Sequence, residues 1–181
     1  VTPEFLAQFG ILGSVYMEQV FGVANPRVGL LNNGTEEHKG TQTMIDAYAL
    51  LSKTEGINFV GNIEGQALPF GACDVLVTDG FTGNIVLKTI EGLSKFMMKK
   101  LKGIFMKNAL NKLSALIIKK EFSSLKKSFD SSEYGGAPFL GISKPVFKAH
   151  GSSDARAVKN AIRQAKEYLE KGVPDIIDER I

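Results

Sequence analysis

The chain carries a single cysteine, Cys73, so it can form no internal disulfide and offers no cysteine-ligated structural metal site. That usage fits a reducing, cytoplasmic setting. No HExxH string and no clustered His/Cys set is present, so no metal is expected. The glycine-rich string Gly80-Phe81-Thr82-Gly83-Asn84 is neither the GxGxxG of dinucleotide sites nor the GxxxxGK[ST] loop of nucleotide triphosphatases, and no cofactor is expected. No Ser-His-Asp order is visible. Cys73 stands just before an apolar run and reads as packing rather than as a nucleophile, so a covalent acyl-enzyme has no evident carrier. Every apolar run falls short of the ~20 residues that a bilayer crossing needs. The excess of 22 basic over 19 acidic side chains is a formal +3, too small by itself to imply nucleic acid.

What is present is ordinary globular composition, 44% hydrophobic and 23% charged over 181 residues, enough for one sizeable core. The chain opens at Val1 rather than at a methionine, directly on a helix-start signal. Thr2 suits the N-cap, Pro3 the first helical position and Glu4 the positive end of the dipole. Phe5, Phe9, Leu12, Tyr16 and Val20 recur at helical steps. Val28-Gly29-Leu30-Leu31 is a short continuous apolar run, as in a strand buried on both faces. A helix with Met44, Ala47, Tyr48 and Leu51 follows, then strands at 57–60 and 74–78. Alternating strands and helices predict an α/β fold with parallel pairing and right-handed crossovers. Beyond Thr82, Val86, Ile90, Leu93, Met97 and Leu101 mark a long helix. Helical character resumes after Gly103, a glycine-rich loop spans 134–141, and 145–149 reads as another strand. A last helix from about Ser153 is predicted to bury Ala155, Val158, Ile162, Ala165 and Leu169, stopped by Gly172 and Pro174.

Chemistry is expected where strands end, because ligands of open α/β sheets bind at the carboxyl ends of the strands. Leu31 leads into Asn32-Asn33-Gly34-Thr35-Glu36-Glu37-His38-Lys39-Gly40, Val60 into Gly61-Asn62, Thr78 into Asp79-Gly80-Phe81-Thr82-Gly83-Asn84, and Ala149 into His150-Gly151-Ser152-Ser153. Glycines, amides, hydroxyls and one ammonium at helix starts suit an anion, with phosphate the natural candidate. Asn-Gly and Asp-Gly are also common turn formers, and Thr82 or Ser152 could serve simply as caps. Four such loops on one rim predict a shared site. A second feature is the stretch from Lys95 to Lys127, where ten lysines face one acidic residue, Glu121, and interleave with Ile104, Phe105, Leu113, Leu116 and Ile117. A basic amphipathic hairpin over 84–130 suits either an anionic lipid surface or packing against a partner subunit.

With these residues in view, the chain resembles the bacterial phosphate acyltransferase family of phospholipid synthesis. The likeness runs through Val28-Gly29-Leu30-Leu31-Asn32 with Gly34-Thr35-Glu36 and Lys39-Gly40, then Ile57-Asn58-Phe59-Val60-Gly61-Asn62. It continues in Val77-Thr78-Asp79-Gly80-Phe81-Thr82-Gly83-Asn84 with Leu87-Lys88-Thr89, in Tyr134-Gly135-Gly136-Ala137, in Lys148-Ala149-His150-Gly151-Ser152-Ser153-Asp154, and in Ala161-Ile162-Arg163-Gln164-Ala165. The resemblance implies that residues 1–181 are the C-terminal portion of a longer α/β domain, similar in fold to phosphotransacetylases and isocitrate dehydrogenases. It implies acyl transfer from acylated acyl carrier protein to inorganic phosphate, a homodimer and peripheral membrane association, with Lys39 and Asn84 as catalytic residues. His150 is a further catalytic candidate, able to orient or deprotonate phosphate near neutrality. Phosphate or substrate contacts are expected from Asn33, Gly34, Thr35, Asp79, Gly80, Thr82, Gly83, Gly135, Gly136, Gly151 and Ser152. The alternatives are a phosphotransacetylase acting on a coenzyme A thioester and a non-catalytic membrane-associated scaffold.

Overall fold

A computed structural model describes residues 1–128, 135–142, 144–149, 151 and 153–181, with side chains left aside at 126–128. Helix α1 (Pro3–Phe21) starts as the sequence predicts, with Phe5 N–H donating to the Thr2 hydroxyl and Pro3 in the first turn. It ends at Gly22 in the left-handed conformation. Strand β1 (Arg27–Asn32), helix α2 (Gln42–Leu51), strand β2 (Asn58–Glu64), a 3₁₀ turn (Gly65–Phe70) and strand β3 (Val75–Val77) follow. The three strands form a parallel sheet in the order β2-β1-β3. β1 is central and its four residues Val28–Leu31 are buried, which explains the uninterrupted apolar run.

On one face of this sheet Val28, Leu30 and Val77 pack with Leu6 of α1 and with Ala47 and Leu51 of α2. A second cluster joins Leu12 and Val15 of α1 to Tyr168, Val173 and Ile177. These last come from helices α6 (Ala155–Glu170) and α7 (Val173–Arg180), beside the two-stranded antiparallel sheet of β4 (Gly136–Phe139) and β5 (Val146–Ala149). α1 therefore serves both cores. Each fully buried leucine or valine there contributes roughly 1.5–3 kcal/mol through burial.

Several elements differ from the sequence reading, each for a local reason. β5 pairs with β4 rather than joining the parallel sheet, so three strand ends, not four, share its carboxyl rim. β4 lies within the stretch read as loop. β2 runs on through Gly61-Asn62 to Glu64, because a bulge opposite Val28–Leu30 absorbs an extra residue. Gly61 sits at φ +93°, a conformation costly to side-chain-bearing residues. Gly172 ends α6 only to begin α7, whose Pro174 lies in the first turn, where its missing N–H is not needed.

The helices keep their predicted period but not always their predicted face. α6 buries Ala157, Ala161, Gln164 and Tyr168, while Val158, Ile162 and Leu169 stand 45%, 66% and 54% exposed. The reason is close approach. A Cβ on Gly135 would fall 2.4 Å from the Ala157 carbonyl oxygen, and one on Gly136 would fall 3.3 Å from the Ala161 Cβ. Only small residues fit on the helix side of such a contact. In α1, likewise, Gly10 and Gly13 face Leu51 and Val75, while Phe5 and Phe9 are turned outward.

The hairpin is helical throughout its described part but is not two simple helices. Helix α3 (Gly80–Phe105) passes straight through Gly103 and breaks at Met106–Asn108. There the Asn108 side chain accepts from Asn111 N–H and starts α4 (Ala109–Ile117), and α5 (Lys119–Ser128) follows. A glycine inside a helix costs only ~1 kcal/mol, whereas a capping asparagine actively favours a new start. Phe122 folds back edge-on to Phe105, with ring centroids 5.9 Å apart. No residue of α3 or α4 is buried.

Candidate functional site

Parallel pairing sends β1, β2 and β3 out of the same edge of the sheet, so the β1–α2 loop, the end of β2 and the start of α3 share one rim. The β1–α2 loop is held by its own polar groups. Asn32 Nδ2 donates to the Lys39 carbonyl at 3.0 Å, and Asn32 Oδ1 accepts from Asn33 N–H at 2.9 Å. Lys39 N–H donates to the Glu36 carbonyl at 3.1 Å, closing a turn over 36–39. The chain then leaves through Gly40 at φ +91°, where a Cβ would strike the Asn32 carboxamide, and Thr41 caps α2 through Met44 N–H. Gly34 is buried beneath the lysine stem: a Cβ there would lie 2.9 Å from Lys39 Cγ and 2.8 Å from Glu36 Oε2.

Lys39 has its ammonium 4.0 Å from Glu36 Oε1, a loose pair, with the lysine side chain 41% exposed. Such a cation remains able to take an anion. Asn33 and Thr35 are exposed on the same loop.

The α3 start behaves differently from the sequence expectation. The Asp79 carboxylate accepts from Phe81 N–H at 3.0 Å and Thr82 N–H at 2.9 Å, so those donors are already taken by an anion of the protein. Hydrogen bonds from Thr82, then from Phe81, hold the Asp79 carboxyl below the ordinary carboxylate range. Asp79 is thus the N-cap of α3, its charge at the positive end of the helix. Gly80 is exposed at the first helical position, and Gly83 leaves room for the Thr78 methyl, which a Cβ would meet at 2.7 Å. Asn84 is exposed, in the turn that follows. Its carboxamide is a donor that this cap leaves outside its own bonds.

The remaining candidates are more dispersed. Gly135 and Gly136 lie against α6, where close packing accounts for both, and Gly151 is exposed between β5 and α6. His150 and Ser152 lie outside the described residues, as does Tyr134. Cys73 is partly buried, and burial pushes its thiol up, consistent with packing. Among the described residues no group of three or more His, Cys, Asp or Glu could hold a metal, and no helix is long and apolar enough to cross a membrane. Along the hairpin, Ile104, Leu113, Leu116 and Ile117 are 58–78% exposed, while Phe105 is half-covered by Phe122. A groove of 540 Å³ there is lined by Phe96, Lys99, Lys100, Gly103, Ile104 and Lys107. A separate cleft of 470 Å³ beside α2 and β2 contains none of the candidates.

One rim residue escaped the sequence reading as an individual candidate. Asn62 is 4% exposed and donates from Nδ2 to the Glu36 carbonyl at 2.8 Å. The Gly-Asn dipeptide resembles a turn; only the bulge shows that it ends inside a strand.

An α/β chain with a polar, glycine-bearing loop set at the carboxyl edge of its parallel sheet belongs to the class of open-sheet α/β proteins, which take their ligands at that edge. Residues 1–176 match the family model described as fatty acid synthesis protein, and the chain belongs to that family. It is 51% identical over 175 residues to the phosphate acyltransferase of Acetivibrio thermocellus, an alignment covering 97% of this chain and 51% of the relative. The phosphate acyltransferase of Bacillus licheniformis is 48% identical over 99% of this chain and 54% of its own length, and that of Bacillus subtilis 45% identical over the same shares. The chain spans about half the length of the curated relatives it matches.

Proposed function

We propose that the protein containing this chain is a phosphate acyltransferase that moves a long acyl group from acylated acyl carrier protein to inorganic phosphate, giving acyl phosphate for phospholipid synthesis. The observation that carries the reading is the shared rim, where the loosely paired ammonium of Lys39 and the first turns of α3 follow adjacent parallel strands. Acyl transfer to phosphate needs a held dianion, a polarised thioester carbonyl and a leaving thiolate. Lys39 supplies the positive charge for phosphate. A phosphate oxygen attacks the thioester carbonyl carbon, the carbon–sulfur bond breaks, and the thiol departs as thiolate, which at a pKa near 8.5 needs little acid assistance. Asn84 donates its amide to the oxyanion that forms on the carbonyl oxygen, a role whose loss typically costs about 10²–10³ in rate. The α3 cap makes Asn84 the more important, because Phe81 and Thr82 N–H groups are engaged by Asp79.

The exposed apolar and basic hairpin supports an anionic membrane surface and a second copy of the protein as further partners, in the cytoplasm. The test is direct: the whole protein, given acyl-carrier thioester and phosphate, forms acyl phosphate. Lys39→Ala and Asn84→Ala, each folded, lose that activity by at least tenfold. Acyl phosphate formed at the parental rate by Lys39→Ala overturns the assignment.

A further inference from the structure

We infer that Asn62 is a positioning residue for Lys39, an inference that rests on the reading of Lys39 as the phosphate cation. Three observations converge on it. First, Glu36 and Lys39 are the two ends of one turn, and each end's carbonyl takes a side-chain amide from a different strand. Asn32 of β1 donates to the Lys39 carbonyl at 3.0 Å, and Asn62 of β2 donates to the Glu36 carbonyl at 2.8 Å. The Glu36 oxygen also receives Lys39 N–H at 3.1 Å, so the turn is braced from within and from both flanks.

Second, the fold makes a specific arrangement to bring Asn62 there. Phe59 packs in the core shared with α1 and α2, whereas Ile63 approaches Gly29, which lies on the opposite side of β1 from Val28 and Leu30. Residues four apart on a regular strand share a face; the bulge at Gly61 breaks that rule and reverses the alternation. It is this reversal that places Asn62 opposite Leu30 and under the β1–α2 loop. Third, the donor itself is shut away. Asn62 is 4% exposed, so its amide has the Glu36 carbonyl rather than water as its partner. Among the described residues the ammonium of Lys39 has one ion-pair contact, the 4.0 Å approach to Glu36, whose backbone Asn62 holds. Asn62 therefore sets the place from which the Lys39 stem departs without touching substrate.

In the whole protein, Asn62→Ala is expected to raise the phosphate KM about tenfold, the effect of removing one buried hydrogen bond, with a smaller change in kcat. Added to Lys39→Ala, it is expected to cost less than twofold more, because its effect runs through the lysine. Hydrogen exchange of the 36–39 amides is expected to quicken in Asn62→Ala. Asn32→Ala frees the other end of the same turn and is expected to give the same signature; it serves if Asn62→Ala melts early. A parental phosphate KM in Asn62→Ala, or an equal loss with and without Lys39, overturns the inference while the Lys39 reading stands. Should Lys39→Ala be too slow to measure in combination, a lower kcat at unchanged phosphate KM in Asn62→Ala overturns it equally. Normal turnover by Lys39→Ala alone removes both.

Discussion

Gly34→Ala adds one methyl group to the floor beneath the lysine, and the structure says what must move. The new Cβ would lie 2.9 Å from Lys39 Cγ and 2.8 Å from Glu36 Oε2, both side-chain atoms rather than backbone. The fold can yield there by swinging two half-exposed side chains, so little stability is lost; alanine's stiffer unfolded chain returns ~0.4–1 kcal/mol of whatever is. The ammonium, however, is carried off its resting position. For a dianion facing one positive charge, retreat from ~3 to ~5 Å in a water-like dielectric weakens the attraction from about 2.8 to about 1.7 kcal/mol. The difference, about 1 kcal/mol, is a five- to tenfold rise in phosphate KM. Steady-state acyl phosphate formation at varied phosphate, beside a thermal melt, measures both quantities. Gly65→Ala is the control, since nothing stands within 4 Å of the methyl group it adds. A Gly34→Ala protein that melts normally and keeps the parental phosphate KM would refute the link between the glycine floor and the cation.

Asp74 accepts from the Arg27 side chain and backbone, which holds its carboxyl at about 2 against an ordinary 3.8. Because the folded value lies below the unfolded one, the pair stabilises fully above about pH 4 and its contribution fades as pH falls through 2. Asp74→Asn is expected to melt lower than the parent at neutral pH and to converge with it near pH 2. Replacing Leu113 or Ile117 by Glu, at positions 58% and 78% exposed, is expected to release the whole protein from anionic liposomes in flotation while leaving turnover in solution intact. For the phase of α6, Ala161→Leu is expected to destabilise by about 1–3 kcal/mol through overpacking against Gly136, and Ile162→Lys by less than about 0.5 kcal/mol. Denaturant melts decide this, and the reverse order would refute the assigned face.

The α/β character, the α1 start and the three parallel strands were legible because caps and continuous apolar runs are local signals. Which face of a helix is buried was not. In α6 the contact is made by alanine against glycine, residues that a hydrophobic period undervalues, so Val158, Ile162 and Leu169 mark the wrong side; α1 buries Leu12 of its predicted stripe but turns Phe5 and Phe9 outward. The partner of β5 was equally hidden, since pairing depends on a strand, β4, whose Gly-Ala-Pro-Phe sequence has no strand-like alternation. At the rim, Lys39 and Asn84 are candidates from glycine-rich context and family likeness, and the structure shows where each stands in its loop or helix. The role of Asp79 needed geometry, because an aspartate before a glycine reads as a turn until its carboxylate is seen to close over two amides. Asn62 was hidden by a single bulged residue.

A sheet ordered β2-β1-β3 has a bare flank on each side among the described residues, and on one of them Val60 stands 41% exposed. Main-chain donors and acceptors along such flanks recruit any extended segment they meet. Flanks left open in this way would zip with those of further copies into insoluble material. Lysine substitutions along the flank would be the rational first step toward keeping such a sheet in solution.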